Sequence, residues 1–451
     1  MKSSPESMVL HPLAGLQPEM DIDVKMFLTS MSIFAFGACL APPTAYGRRM
    51  ESAADRAEND IMARLFRLMP GIFFGGGLLA SIEALLVPRL KLVMHMGYAE
   101  AMLAQLAYYS SYLLFALPAT WLTARTGALR AIAVALCIIS LGCCAFAVAQ
   151  YSSRYAAMLA ALLMISSGAT ILQIACNGLM ATYGAKAAAV SRFTLLQAFN
   201  AVGTVAGPVI AAWFLLGQAG PTIPLVPFLA LAAGFAILAI CIVRDRNLLP
   251  HAHASAPTLT RMIALIRRPK IATGTAAIFA YVGAEVTVGI LAVGYLTLPD
   301  SAAVMPVAAG RLVALYWAGA MVGRFAGAWA LRHIAAQRLL ARAAIVAALL
   351  IAAAILLHGY VGSGALLAVG ICNSIMFPTI YGLAMPRDHQ DVPAASMWLC
   401  IAVIGGAIVP MLAGIIADRT SPSMALILPA LCYLVILMFA LSADDRPEMQ
   451  R

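Results

Sequence analysis

Residues 108–130 read YYSSYLLFALPATWLTARTGALR, and residues 315–338 read LYWAGAMVGRFAGAWALRHIAAQR. At one constant offset Tyr109 falls against Tyr316 and Arg125 against Arg332. Each stretch is an apolar run of helical length that ends on basic residues, so the chain carries one helical unit twice. A second echo supports this: GTVAGPV (203–209) resembles GGAIVPM (405–411), with Pro208 matching Pro410.

The rest of the chain fits a duplicated membrane bundle. Of 451 residues, 63% are hydrophobic and 11% charged, with a mean hydropathy of +0.92; an ordinary soluble domain is about 25% charged. A helix rising about 1.5 Å per residue needs roughly 20 apolar residues to cross a hydrocarbon core about 30 Å thick. Apolar windows fall near 70–90, 100–124, 129–150, 155–183, 191–216 and 223–243, and again near 271–298, 306–331, 339–358, 361–386, 394–417 and 422–442. This predicts an all-α polytopic membrane protein with twelve transmembrane helices in two six-helix halves, 70–243 and 271–442. Residues 244–270, RDRNLLPHAHASAPTLTRMIALIRRPK, read as a cytoplasmic linker, and 443–451 as a cytoplasmic tail. A six-plus-six repeat with a basic linker is the architecture of the major facilitator fold.

Basic residues orient the bundle. The even-numbered connections carry Arg125, Arg130, Lys186, Arg192, Arg244, Arg246, Arg261, Arg267, Arg268, Lys270, Arg332, Arg338, Arg342 and Arg387; the odd-numbered ones carry only Arg89, Lys91, Arg154, Arg311 and Arg419. Both ends of the twelve-helix body are therefore expected in the cytoplasm, the membrane being the cell inner membrane. The net charge of +10 is spread over these loops, so no nucleic-acid partner is expected. Residues 1–69 read as an extension, peripheral or an overlong start: Asp21 and Asp23 precede its apolar stretch, Pro42 and Pro43 interrupt it, and 51–69 is amphipathic. The nine cysteines all lie in apolar runs and read as packing residues.

The missing motifs exclude function classes. No Gly-Lys dipeptide occurs, so a phosphate-cradling loop is absent and ATP is not the expected energy source. HExxH and paired CxxC are absent too, and HAH at 251–253 reads as a solvated loop, so neither a metal nor a cofactor is expected. No nucleophile with a base is visible, and an enzyme is not the reading. Transport down or against a gradient remains, by a monomer whose partners are its small-molecule solute and membrane lipid.

The informative residues are then polar groups at membrane depth. SIEALLVPRL (81–90) places Glu83 in the first span, where a charge costs roughly 2.5–3.5 kcal/mol or more. Gln173 and Asn177 lie four apart in the fourth span, Gln197 and Asn200 three apart in the fifth, so each pair shares a helix face. Amides donate and accept, which suits a ligand covered in hydroxyls; equally, each can bond a neighbouring helix, worth about 0.6–2 kcal/mol. Asn373 of the tenth span joins these binding candidates, with Tyr281 and Trp317 offering aromatic faces to a sugar ring. Tyr108, Tyr109, Tyr112 and Tyr316 offer the same, or pack. Glu83 and Glu285 are the proton-coupling candidates, because a carboxyl at membrane depth can carry a proton between two sides. Arg125, Arg324 and Arg332 read as gating or structural residues, Arg324 near the cytoplasmic end of its span.

At these same residues the chain resembles a known family. LLVPRLK, YAEAMLAQLAYY, LPATWLTARTGALR, SSGATILQIACNGL, SRFTLLQAFNAVGT, AYVGAEVTVGILAVGYL, YWAGAMVGRFAGA, ICNSIMFPTIYGLAM, AVIGGAIVPMLAGIIAD and PALCYLVI, collinear over roughly 70–442, are similar to the fucose/proton symporter family of the major facilitator superfamily, in its glucose/galactose transporter branch. The resemblance implies movement of a glucose-, galactose- or fucose-like monosaccharide by alternating access, in symport with protons or with sodium. It implies sugar contact at Gln197 and Asn200. Asn177 is kept while Gly178 stands where the family has proline, and the seventh-span YVGAE motif is intact with Tyr281 and Glu285. In the first span the family reads Asn-Asp-Ile-Leu-Ile-Pro; aligned on Pro88, Glu83 falls on the asparagine and Ala84 on the aspartate, about 100° around the helix from the usual acid. An exporter of small amphipathic compounds in the same fold, or a non-transporting membrane sensor, are the alternative readings.

Overall fold

The computed structural model describes residues 64–81, 110–149, 154–182, 186–215, 226–245, 258–357, 359–386 and 388–443. Residues 1–63, Glu83, Ala84, Tyr108, Tyr109 and residues 246–257 of the expected linker lie outside them. Helices occupy all twelve expected segments. The first span is described over 64–81 and the second over 110–126, with its regular part at Ala116–Thr126; the third is Ala128–Ala149, the fourth Tyr155–Thr182, the fifth Lys186–Leu215 and the sixth Val226–Arg244. The seventh is Pro269–Leu296, the eighth Pro306–Ala330, the ninth Ala336–Leu356, the tenth Gly359–Ala384, the eleventh Val392–Arg419 and the twelfth Pro422–Ser442. Among the described residues, seven helices are by themselves long and apolar enough to cross a membrane.

Helix is the form this composition demands, because each backbone N–H and C=O in hydrocarbon must be paired within its own segment. Prolines at the first turn start the seventh, eighth and twelfth spans, where the missing N–H is no loss. Gly127, at φ +84°, makes the turn between the second and third spans in a backbone region that side chains disfavour. Thr120, Thr123, Ser166, Thr170 and Thr194 satisfy their hydroxyls on the carbonyl four residues back, which makes them tolerable in oil. Cys400 and Cys432 are buried as packing residues.

Glycines set how closely spans approach, and they do so twice. A Cβ on Gly203 of the fifth span would overlap the Phe74 carbonyl of the first; a Cβ on Gly405 of the eleventh would overlap the Phe279 carbonyl of the seventh. These are the opening glycines of the two echoed stretches, GTVAGPV and GGAIVPM. The repeat in sequence is therefore a repeat in packing, backbone against backbone, where dispersion contacts rather than water exclusion hold membrane helices together.

Fourth and fifth spans of the first half meet eighth, tenth and eleventh spans of the second. The closest contacts lie toward the helix ends that border 183–185, 331–335 and 385–391. A Cβ on Gly178 would meet Ser396 and Val392, one on Gly382 would meet Val190, and Ser191 Oγ donates to the Ala328 carbonyl at 2.6 Å. Phe193 stacks edge-on against Tyr381 with ring centroids 5.6 Å apart. The end of the expected linker is itself a short helix, Leu259–Ile266, capped by Thr258 and burying Met262 and Leu265. Arg261 and Arg268 of this segment donate to the two carboxylate oxygens of the buried Asp391, each at 2.9 Å, and Trp398 Nε1 donates to the Met262 carbonyl at 3.0 Å. Two of the linker's basic residues thus fasten it to the start of the eleventh span, on the side where the halves are pressed together.

Candidate functional site

A cavity of about 250 Å³ lies between the halves, below the roughly 300–1,000 Å³ of drug-sized pockets and suited to one small solute. The first half lines it with Gln173, Asn177, Gln197 and Asn200, backed by Phe73 and Tyr112; the second lines it with Tyr281, Glu285 and Arg324, backed by Phe377. The helical spacing explains the convergence. Residues three or four apart turn to one side of the helix, so each amide pair, and Tyr281 with Glu285, projects into the same space.

Two of the four amides are held by neighbouring helices. Gln173 Nε2 donates to the Tyr112 hydroxyl at 2.7 Å, tying the fourth span to the second. Asn200 Nδ2 donates to the Phe73 carbonyl at 3.0 Å, in the glycine-lined contact of fifth and first spans. Asn177 is buried, and its Nδ2 has no hydrogen-bond partner among the described residues. The Tyr281 hydroxyl likewise has no hydrogen-bond partner among the described residues. A buried polar group left without a partner costs about 1–3 kcal/mol. Two of them around one cavity mark where a ligand or water completes the set.

Glu285 and Arg324 form the charged part of the wall. Arg324 NH2 stands 3.7 Å from Glu285 Oε1, an ion-pair distance longer than a hydrogen bond, with each side chain 13% exposed. The guanidinium also donates through Nε to the Ser374 carbonyl at 3.3 Å and through NH1 to the Gln197 carbonyl at 3.4 Å. The last of these crosses from one half to the other. Arg324 is six residues from the end of its helix, about 9 Å inside it, and so sits at cavity depth rather than at the span's end.

Other residues singled out in the sequence lie elsewhere. Asn373 is fully buried away from the cavity, donating to the Tyr316 hydroxyl and accepting from the Tyr433 hydroxyl, both at 2.8 Å. Trp317 stacks edge-on against Tyr316, with centroids 5.0 Å apart, and packs over Gly289. Arg125 lies exposed at the end of the second span, its guanidinium 3.4 Å from the Trp121 ring centroid, and Arg332 lies exposed in the turn after the eighth. Glu83 is outside the described residues. Phe73, Phe377 and Tyr433 were not legible as site residues, since nothing in an apolar run distinguishes a cavity-facing or relay aromatic from a lipid-facing one.

Comparison with known proteins gives the family. A sequence profile of the Major Facilitator Superfamily matches residues 68–389. The chain is 36% identical over 379 residues to a glucose/galactose transporter of Brucella abortus, covering 82% of this chain and 92% of that one. It is 26% identical over 411 residues to the L-fucose-proton symporter of Escherichia coli, covering 83% and 92%. The crystal structure of that symporter superposes with a TM-score of 0.73 over 84% of this chain and 98% of the other, at 23% identity. A bacterial homologue of the iron transporter ferroportin, solved in an outward-facing state, superposes nearly as well, with a TM-score of 0.70 at 11% identity, over 86% and 100%. The shared fold therefore says nothing about the solute, and the sequence relatives carry the finer relation. The chain is an integral multi-pass membrane transporter, not an enzyme, and it belongs to the major facilitator superfamily, in the branch of the glucose/galactose transporters and L-fucose-proton symporters.

Proposed function

We propose that this protein moves a monosaccharide across the cell inner membrane by alternating access, in symport with protons, with sodium as the competing coupling ion. The observation that carries the reading is Glu285: a carboxyl whose Oε1 is ion-paired with Arg324 at 3.7 Å, in a cavity that the other half lines with four amides. A neutral polyhydroxylated ring is matched by groups that donate and accept at once, and Tyr281 adds an aromatic face. Gln173, Asn177, Gln197 and Asn200 are the proposed sugar contacts. Glu285 is the proposed proton carrier and Arg324 its counter-ion.

The alternation follows from the contacts between the halves. The linker side is closed by Gly178 against Ser396, Val190 against Gly382 and Ser191 against Ala328. With the linker in the cytoplasm this is closure of the cytoplasmic side, and rocking the halves would exchange the closed side. Arg324 holds a carbonyl of each half, so the same motion alters its distance from Glu285 and ties the carboxyl's proton to the state of the gate.

Counterflow of labelled glucose, galactose and L-fucose in proteoliposomes tests the solute, and imposed proton or sodium gradients test the coupling. Exchange of one sugar, accelerated and concentrated by a proton gradient, is expected. A folded protein that exchanges none of a broad sugar panel removes the monosaccharide reading; accumulation driven by sodium alone removes the proton.

A further inference from the structure

We infer that the break in the tenth span is the positioning element of the Glu285–Arg324 pair, acting through Asn373, Tyr316 and Tyr433 on one member and through Ser374 on the other. The inference rests on the reading of Glu285 as the coupling carboxyl. The tenth span stops as a regular helix at Asn373 and restarts at Met376, in the stretch ICNSIMFP. Pro378 has no N–H, so the Ser374 carbonyl, four residues earlier, lacks the donor a helix would give it. Arg324 Nε takes that carbonyl at 3.3 Å. Thr379 N resumes the ladder on Ile375 O at 3.2 Å.

One residue before the break, Asn373 is a two-ended connector. Tyr433 of the twelfth span donates to its Oδ1 at 2.8 Å, its Nδ2 donates to Tyr316 of the eighth at 2.8 Å, and Tyr316 donates to the Glu285 carbonyl at 3.0 Å. The sense of each link is determined, because a phenol has one proton and an amide donates only from nitrogen. All three relay residues are fully buried and none lines the cavity. Close approach of the eighth and tenth spans makes the relay reach: a Cβ on Gly370 would overlap the Tyr316 carbonyl, and one on Gly323 would meet the Ser374 side chain. The ionisable groups facing Glu285 are Arg324 and Tyr316 of the eighth span, Tyr433 of the twelfth and Tyr281 of its own. The part of the eleventh span packed here, 402–409, contains none, and the tenth contributes the Asn373 amide. The carboxyl-bearing turn and the guanidinium are thus held by neighbouring residues of one broken helix, so loosening the break changes their separation while leaving the sugar wall in place.

Proton-driven uptake against pH, sugar counterflow and thermal unfolding, measured together in proteoliposomes and micelles, test this with Tyr433→Phe, Tyr316→Phe and Pro378→Ala. The last restores an N–H that competes with Arg324 for the Ser374 carbonyl. Each is expected to lower driven uptake relative to counterflow by roughly two- to tenfold, the effect of one hydrogen bond, and to displace the pH midpoint of uptake. Wild-type midpoints and wild-type uptake-to-counterflow ratios in Tyr316→Phe and Pro378→Ala would overturn the inference. So would equal losses of uptake and counterflow accompanied by lowered thermal stability, which describe a scaffold only. Glu285→Gln separates the two levels: if it keeps the wild-type pH dependence, the reading of Glu285 fails and the inference with it; if it abolishes that dependence while the three variants do not move it, the inference alone fails.

Discussion

The two halves of the cavity wall are built from different chemistry. Among the described residues the first half contributes four neutral amides, the second a carboxylate and a guanidinium. Amides bind hydroxyls without a change of charge, whereas a buried ion pair changes its energy steeply with a proton or with a small displacement. The contrast fits the proposed division of labour, in which the amide side would recognise, the charged side would couple, and the contacts between halves on the linker side would set when the two act together. Each prediction below attacks one term of that division.

Arg324→Met leaves Glu285 buried without its counter-ion and has the largest expected effect, about 3–5 kcal/mol of stability. Thermal unfolding in micelles should show it, and adding Glu285→Gln should recover most of the loss. A double variant as unstable as the single would mean that Arg324 acts through the Ser374 and Gln197 carbonyls alone. Gly178→Leu places a side chain where Ser396 and Val392 close the linker side, an overpacking worth about 1–3 kcal/mol against the closed state. Labelling of Cys176, which lines the cavity, by a thiol reagent added from the linker side should rise about tenfold over a Cys176→Ala control. No rise would remove this contact from the gate.

Asn177→Leu separates recognition from scaffold. Its Nδ2 has no hydrogen-bond partner among the described residues, so the variant should be as stable as the parent or more so, while KM for the sugar rises up to about tenfold. Lost stability with unchanged KM would place Asn177 on the packing side of the comparison. The smallest effect is expected of Ser191→Ala, which removes one hydrogen bond across the halves, about 0.5–1.5 kcal/mol. It should shift linker-side Cys176 labelling in the same direction as Gly178→Leu but by only a few fold; a shift the other way would mean that the bond does not favour the closed side.

Much of the site was legible because the chain has so few polar residues at membrane depth. Gln173, Asn177, Gln197, Asn200, Tyr281 and Glu285 stand out in apolar runs, and the 3.6-residue period alone groups them by face. All six line the cavity. Asn373 stood out for the same reason, yet it is consumed by two tyrosines, since composition cannot tell which buried amide meets a cavity and which meets a neighbour. Arg324 read as a residue near the end of its span because depth was counted along one helix. Its partners come from the fifth, seventh and tenth spans, which sequence distance does not bring together.

What the sequence determined by itself is the twelve-segment helical bundle, its duplication and the short roster of polar residues within it, because the cost of unpaired backbone and of charge in hydrocarbon is paid segment by segment. Which roster members face one another was decided only by tertiary packing. The glycine contacts of 203 with 74 and 405 with 279 set how near the helices lie, and Pro378 frees a carbonyl for Arg324. Those outcomes depend on helix rotation and separation across the bundle, quantities that no single segment encodes.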